Sequence, residues 1–150
     1  MASIPQFSPN AGWARFGTVT FPTMGVTSQV VTSATTPVTL TTAQILQGIL
    51  PVDCQDAGSI TTPTAAAIVA AINGCQVGTS FDLDVVNYGD TTLTMALGTG
   101  VTKTTIASVA AVLTMVTLVS KRFRFNVTNV TPGSEAITIW AFGSTAAAVA

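Results

Sequence analysis

The stretch that decides the fold runs from Arg122 to Phe142 and reads RFRFNVTNVTPGSEAITIWAF. In its first part every second residue is apolar, which is the period of a strand with one buried face. Thr-Pro-Gly-Ser at 131–134 then turns the chain into a second strand-like run at 136–142. The stretch therefore predicts two consecutive strands joined by a turn.

The same pattern of strands and turns extends upstream to Gly78. Short strand-like runs alternate there with turns that are rich in glycine, asparagine and aspartate. They are a strand at 81–85, a turn at 87–90, a strand at 93–97, a turn at 98–100 and a mostly apolar strand from Val112 to Val119. Regular short strands of this kind predict a mainly β protein, built as an antiparallel β-sandwich or barrel.

One short α-helix is expected at about 63–73. Thr62 is a candidate N-cap, Pro63 suits the first helical position, and Gly74 is the expected stop. The body is rich in alanine, and Ile68 and Ile72 fall on one face. A weaker signal precedes it, where Thr41 or Thr42 can cap a helical turn that Gly48 ends.

Residues 1–38 differ from the rest in their prolines and their short strand-like runs at 16–21 and 26–32. Prolines exclude a helix and interrupt strand ladders, so this segment is expected to be an extended N-terminal arm. The arm is rich in aromatic residues, unlike a disordered tail, and we expect it to lie on a neighbouring molecule or across its own domain. The domain organisation is then an arm at 1–38, a β-domain at 39–145 and an alanine-rich tail at 146–150.

Charge is scarce: 7% of the residues are charged, 48% are hydrophobic and the net charge is -1. A freely dispersed protein ordinarily carries more surface charge. Either the chain is a small neutral globule, or copies of itself or a partner cover much of its surface. The lack of a Lys/Arg cluster argues against nucleic-acid binding.

No membrane association is expected. The apolar run from Thr104 to Ser120 contains threonines and serines and favours strands over a membrane span. The start, from Met1 to Pro5, has neither a basic region nor an apolar core, so we expect no secretory signal.

The sequence predicts no enzyme and no catalytic, metal or cofactor-binding residues. It contains no histidine, so Ser-His-Asp and Cys-His arrangements within one chain are excluded. Cys54 and Cys75 match no CxxC-type spacing and are either reduced thiols or a disulfide. The loop carboxylates Asp53, Asp56 and Asp90 follow no EF-hand pattern.

Four charged residues form one candidate ladder. Asp82 and Asp84 share one face of their strand, and Arg122 and Arg124 share one face of theirs. If the two strands pair, the charges oppose each other across the polar face. The alternative is a set of ion pairs between subunits, and both interpretations stay open.

Taken in order, several patterned motifs within about 39–142 resemble a domain of virion structural proteins in tailed phages and some large DNA viruses. They are TLTTAQIL at 39–46, TPTAAAIVAAI at 62–72, GTSF at 78–81, NYGDTTLT at 87–94, GTGV at 98–101 and NVTNVTPGSEAITI at 126–139. The resemblance implies a phage head cement or decoration protein. Such a protein is a β-rich structural subunit, often a homotrimer, that clamps the major capsid protein at the capsid exterior after synthesis in the host cytoplasm.

The arm lies outside the matched motifs, and its role is inferred from composition. We expect Trp13, Phe16 and Phe21 to be interface residues on a neighbour or on the capsid. Two other classes stay open. One is a phage tail, fibre or filament subunit, and the other is a carbohydrate-binding β-sandwich that stacks sugars on Trp13, Tyr88 or Trp140.

Overall fold

The computed structural model describes residues 27–32, 36–106, 109–110, 113–143 and 145–146. Within them the chain is mainly β, as expected. One group of strands forms what we call the large sheet: β1 (Gln29–Val31), β3 (Ile49–Cys54), β5 (Ser80–Asn87), β7 (Val101–Lys103), β11 (Val119–Asn129), β12 (Ala136–Ala141) and β13 (Thr145–Ala146). Their spatial order is β1-β3-β5-β11-β12-β7, with β13 beside β11.

A second group forms the small sheet, in the order β10-β6-β4-β2. Its strands are β2 (Val38–Thr39), β4 (Gly58–Thr61), β6 (Leu93–Ala96) and β10 (Thr114–Met115). A separate pair consists of β8 (Thr105–Ile106) and β9 (Val109–Ala110).

The sheets are mixed rather than purely antiparallel, which corrects the sequence-based expectation. The central order β5-β11-β12 is antiparallel, but β1-β3, β3-β5, β2-β4, β4-β6 and β12-β7 are parallel. The reason lies in the path of the chain. From β1 to β6 successive strands alternate between the two sheets, so neighbours within a sheet are two strands apart in sequence and run in the same direction.

Two helices are found in the described part of the chain, where one was expected. The first, α1 (Thr42–Leu46), is the helical turn suggested by the weaker signal. Thr41 is its N-cap, and the Thr41 and Gln44 side chains each accept a hydrogen bond from the other residue's backbone N–H, which is a capping box. No helix in the described residues is long and apolar enough to cross a membrane.

The second helix, α2 (Ala65–Ala71), confirms the expected helix but corrects its cap. Thr64, not Thr62, is the N-cap, and its Oγ1 accepts a hydrogen bond from the Ala67 N–H at 3.2 Å. Thr62 is buried, and its N–H still donates to the Ala96 carbonyl at 3.0 Å. Because Thr62 continues the strand ladder with β6, the helix begins only after it.

The predicted strand from Val112 to Val119 is also wrong as a single element. Thr114 and Met115 belong to the small sheet, a turn follows, and Val119 begins β11 in the large sheet. Leu118 has a φ of 54°, the left-handed conformation typical of tight turns. The apolar run is therefore divided where the chain crosses from one sheet to the other.

Apolar side chains of both sheets and of the helices join one hydrophobic core. Phe125 is fully buried in it and stacks on Phe81, with ring centroids 4.8 Å apart. Val31 of β1 is also fully buried. The strand β1 is thus part of the large sheet and of its core, while residues 1–26, which make up most of the predicted arm, fall outside the described residues, so the arm stays a prediction.

Candidate interaction site

The candidate site is the outer face of the large sheet, defined here as the side chains of β3, β5, β11 and β12 that point away from the core. On β11 the alternation of buried and exposed side chains identifies this face: Phe123 and Phe125 are buried, and Arg122 and Arg124 are exposed. On β5 the residues Leu83 and Val85 are buried, so the even-numbered positions face outward.

At the centre of this face lie two ion pairs, which confirm the predicted ladder. The strand register places Arg122 opposite Asp84 and Arg124 opposite Asp82. In the first pair Arg122 Nε and Nη2 donate to the two Asp84 oxygens at 2.8 and 2.7 Å. In the second pair Arg124 Nε and Nη2 donate to the two Asp82 oxygens at 2.7 and 2.8 Å. Both pairs are bidentate, the geometry that fixes a guanidinium most firmly.

The ion pairs shift the pKa of Asp82 and of both arginines. Hydrogen bonds from Arg124 hold the pKa of Asp82 below its usual range, and the charges of Arg124 and Arg122 act in the same direction. Hydrogen bonds to the carboxylates raise the pKa of Arg122 and Arg124. The four charges therefore neutralise one another within one chain. A contact between any of them and another subunit stays a prediction.

Beside the ion pairs lies an open depression of about 570 Å³. Its apolar wall comes from Ile49, Val86 and Phe142, and its polar wall includes the first ion pair. Ile49 is 42% exposed and Phe142 is 45% exposed, large fractions for such side chains. The depression is therefore an apolar patch that adjoins a neutralised charge cluster.

Trp140 extends the same face on the far side of β11. It lies opposite Arg124 in the register of β11 with β12 and is 38% exposed. An exposed tryptophan next to a guanidinium is the kind of pair found at interfaces and at sugar-stacking platforms. The expected interface residues Trp13, Phe16 and Phe21 lie outside the described residues, so their positions stay predictions.

A different set of polar contacts holds the two sheets together beneath this face. Lys121 on β11 is 7% exposed, and its Nζ donates to the Thr114 carbonyl at 2.7 Å, which joins the large sheet to β10. Burial lowers the pKa of Lys121. The buried Asn87 Nδ2 donates to the Met115 and Val116 carbonyls at 3.3 and 3.1 Å. These contacts fix the position of β11 relative to the core.

The remaining candidates for chemistry do not cluster. Cys54 is buried and Cys75 is half-buried, and both are free thiols. The Asp53 carboxylate accepts a hydrogen bond from Gln55 at 3.0 Å. Within the described ranges no three His, Cys, Asp or Glu side chains lie close enough together to hold a metal ion.

Sequence reasoning found the charged centre of the site but missed its apolar wall. Val86 and Phe142 continue the outward positions of β5 and β12, so alternation alone could have placed them on this face. Ile49 had no such signal, because it reaches the face through the parallel pairing of β3 with β5, where it lies opposite Asp84. Searches against protein-family models, curated proteins and solved structures found no match to this chain.

Proposed function

We propose that the chain is a non-enzymatic virion structural protein, a cement or decoration subunit that binds and reinforces the major capsid protein shell as a homo-oligomer. The observation that carries the proposal is the outer face of the large sheet. There, exposed Ile49, Phe142 and Trp140 surround charges that are already paired within the chain.

Such a face is suited to burial against another protein. Permanent interfaces are large, are depleted in unpaired charge at their centre, and are enriched in aromatic residues and arginine. Burying a lone carboxylate costs several kcal/mol, but a bidentate pair satisfies most of its hydrogen bonds in advance. Only 7% of the residues are charged, which supports the same conclusion, because a surface with so few charges is poorly suited to full exposure to water.

The same proposal includes the arrangement of the two sheets, the course of the arm and the oligomeric state. The two sheets pack as a β-sandwich whose inward side chains share one core. The chain before β1 forms an extended arm that carries Trp13, Phe16 and Phe21 to a neighbouring subunit or to the capsid. A homotrimer on the capsid exterior, made in the host cytoplasm, fits the local three-fold axes of a shell.

The direct test is binding to bare capsids. The full chain is expected to cosediment with capsids that lack a decoration protein, with saturable occupancy. A chain without residues 1–22 is expected to keep its fold, because the first residue of the described core is Val31, but to lose capsid binding. Unchanged occupancy by the truncated chain would contradict the role given to the arm, and no binding by the full chain would contradict the function.

Trp140 favours a second candidate, a carbohydrate-binding β-sandwich. Trp140 is 38% exposed on the outer face of the large sheet, and a sugar-stacking platform requires an exposed aromatic side chain. Glycan-array binding that Trp140→Ala abolishes would support this function over the first. A tail, fibre or filament subunit would instead assemble into open-ended species rather than a closed oligomer.

A further inference from the structure

We infer that Asn73 is a site of spontaneous deamidation, where the side-chain amide is lost and isoaspartate or aspartate forms in its place. The inference does not depend on the proposed function. It rests on the turn that follows α2 and on the sequence Asn73-Gly74 at the centre of that turn. Asparagine is a thermolabile residue, and its surroundings decide how fast it reacts.

The turn holds asparagine and glycine at its two central positions. The Cys75 N–H donates to the Ile72 carbonyl at 3.2 Å, which closes a β-turn over residues 72–75. The φ of Gly74 is 69°, and that of Asn73 is not positive. This is the pattern of a type II turn, whose third position requires a positive φ and therefore favours glycine. The reactive pair is thus part of the local backbone design.

Both reacting groups are open to solvent. Asn73 and Gly74 are exposed. Within the described part of the chain, neither the side-chain amide of Asn73 nor the Gly74 N–H takes part in a hydrogen bond. A Cβ built on Gly74 would meet nothing within 4 Å, so there is room around this backbone for a ring to form.

The reaction needs only water and hydroxide. Hydroxide removes the proton from the Gly74 nitrogen, which then attacks Asn73 Cγ without hindrance from a side chain on the glycine. The N–Cγ bond forms, the Cγ–Nδ2 bond breaks, and the amide leaves as ammonia after taking a proton from water. Water then opens the resulting five-membered succinimide ring at one of its two carbonyls. One opening gives aspartate, and the other gives isoaspartate, in which the backbone runs through the side-chain carbon.

The other described asparagines lack this combination of features. Asn87 is buried, and its Nδ2 donates to three backbone carbonyls. Asn126 lies in β11, and the Val127 N–H that would have to attack it is held in a backbone hydrogen bond at 2.9 Å. The Asn129 side-chain oxygen accepts a hydrogen bond from the Thr131 N–H at 2.9 Å, and the next residue is a β-branched valine.

Deamidation places a carboxylate directly after the C-terminus of α2. The C-terminal end of a helix carries a partial negative charge, so a new carboxylate there is unfavourable. Isoaspartate also lengthens the backbone inside the turn between Ile72 and Cys75, and both of these residues pack against the core. The modified chain is therefore expected to unfold at a lower temperature than the fresh chain.

Ageing of the full-length chain in water enriched in heavy oxygen tests the inference. The chain is kept at body temperature for days at a series of pH values from mildly acid to mildly alkaline. It is then digested with pepsin in acid, where succinimide formation is slow. Peptide mass spectrometry with electron-transfer fragmentation locates the label and distinguishes isoaspartate from aspartate. Asn73→Gln is the matched control, since it keeps an exposed amide at the same position but would need a six-membered ring.

Label is expected at position 73 several-fold sooner than at Asn87, Asn126 or Asn129. It is expected to appear faster at higher pH and mostly as isoaspartate, and Asn73→Gln is expected to take up no label there over the same time. Label at position 73 that appears no faster than at the other three asparagines would overturn the site. Aspartate without isoaspartate would overturn the succinimide reaction.

Discussion

Arg124 on β11 faces Asp82 on β5, and its Nε and Nη2 each donate to one carboxylate oxygen, at 2.7 and 2.8 Å. The adjacent pair of Arg122 with Asp84 repeats this geometry two residues along the strands. The ladder fixes the register of the two central strands, because a shift by one residue would place these charges against the core.

The ladder predicts a rescue by charge exchange. Arg124→Asp places a carboxylate opposite Asp82 and is expected to lower the melting temperature by a few degrees. Asp82→Arg, added to the same chain, restores the opposite charges and is expected to recover most of the loss. Thermal unfolding of the two single variants and the double variant checks this, and additive losses would show that the pair does not interact.

The lowered pKa of Asp82 predicts a loss of stability in acid. A carboxylate whose pKa is lower in the folded state stabilises the fold above its unfolded pKa of 3.8, and that stability is lost as the pH falls through the folded value. Asp82→Asn is therefore expected to reduce stability near neutral pH and to flatten the fall below about pH 4. Urea unfolding at a series of pH values from neutral to acid measures this. If the free energy of unfolding falls in parallel with pH for the unchanged chain and for Asp82→Asn, the prediction is refuted.

Two threonines before α2 are predicted to act by different mechanisms. Thr64→Ala removes the helix cap and is expected to cost about 1 kcal/mol. Thr62→Val leaves the Gly98 N–H without its acceptor at 2.9 Å and is expected to cost about 1–3 kcal/mol. Urea unfolding compares them. A loss from Thr62→Val with none from Thr64→Ala would contradict Thr64 as the cap and restore Thr62, the cap that the sequence predicted.

Gly98 is predicted to tolerate no side chain. A Cβ there would lie 2.5 Å from the Thr62 carbonyl oxygen and 2.6 Å from that of Pro63. Both are backbone atoms, so Gly98→Ala is expected to cost about 3 kcal/mol or more. Gly143→Ala is the matched control, because its Cβ would meet nothing within 4 Å. Similar unfolding midpoints for the two variants would contradict the close approach.

Alternation was enough to predict the centre of the site. Phe123 and Phe125 alternate with Arg122 and Arg124, and this period alone states which side chains face the core. The opposite strand carries its carboxylates with the same period, so the pairing followed once the two strands were assumed to be neighbours.

What could not be predicted is the assignment of each strand to a sheet. Met115 and Val119 lie in one apolar run, but the first joins the small sheet and the second joins the large one. No local feature of the sequence marks that crossing, because strands of both sheets need apolar residues on their inner faces. Ile49 was missed for a related reason, since its neighbour Asp84 is set by a parallel pairing between distant segments.

The helix cap shows a local rule that was overridden by a distant contact. Thr62 followed by Pro63 is a good helix start by sequence. The strand β6 nevertheless holds the Thr62 N–H on the Ala96 carbonyl at 3.0 Å, and the next threonine takes over as the cap.

The native mass of the full-length chain at micromolar concentration tests the central claim most directly. The proposed cement subunit predicts a single closed species at three times the chain mass of 15.2 kDa. A chain that stays monomeric at that concentration, or that grows into open-ended assemblies, would contradict it.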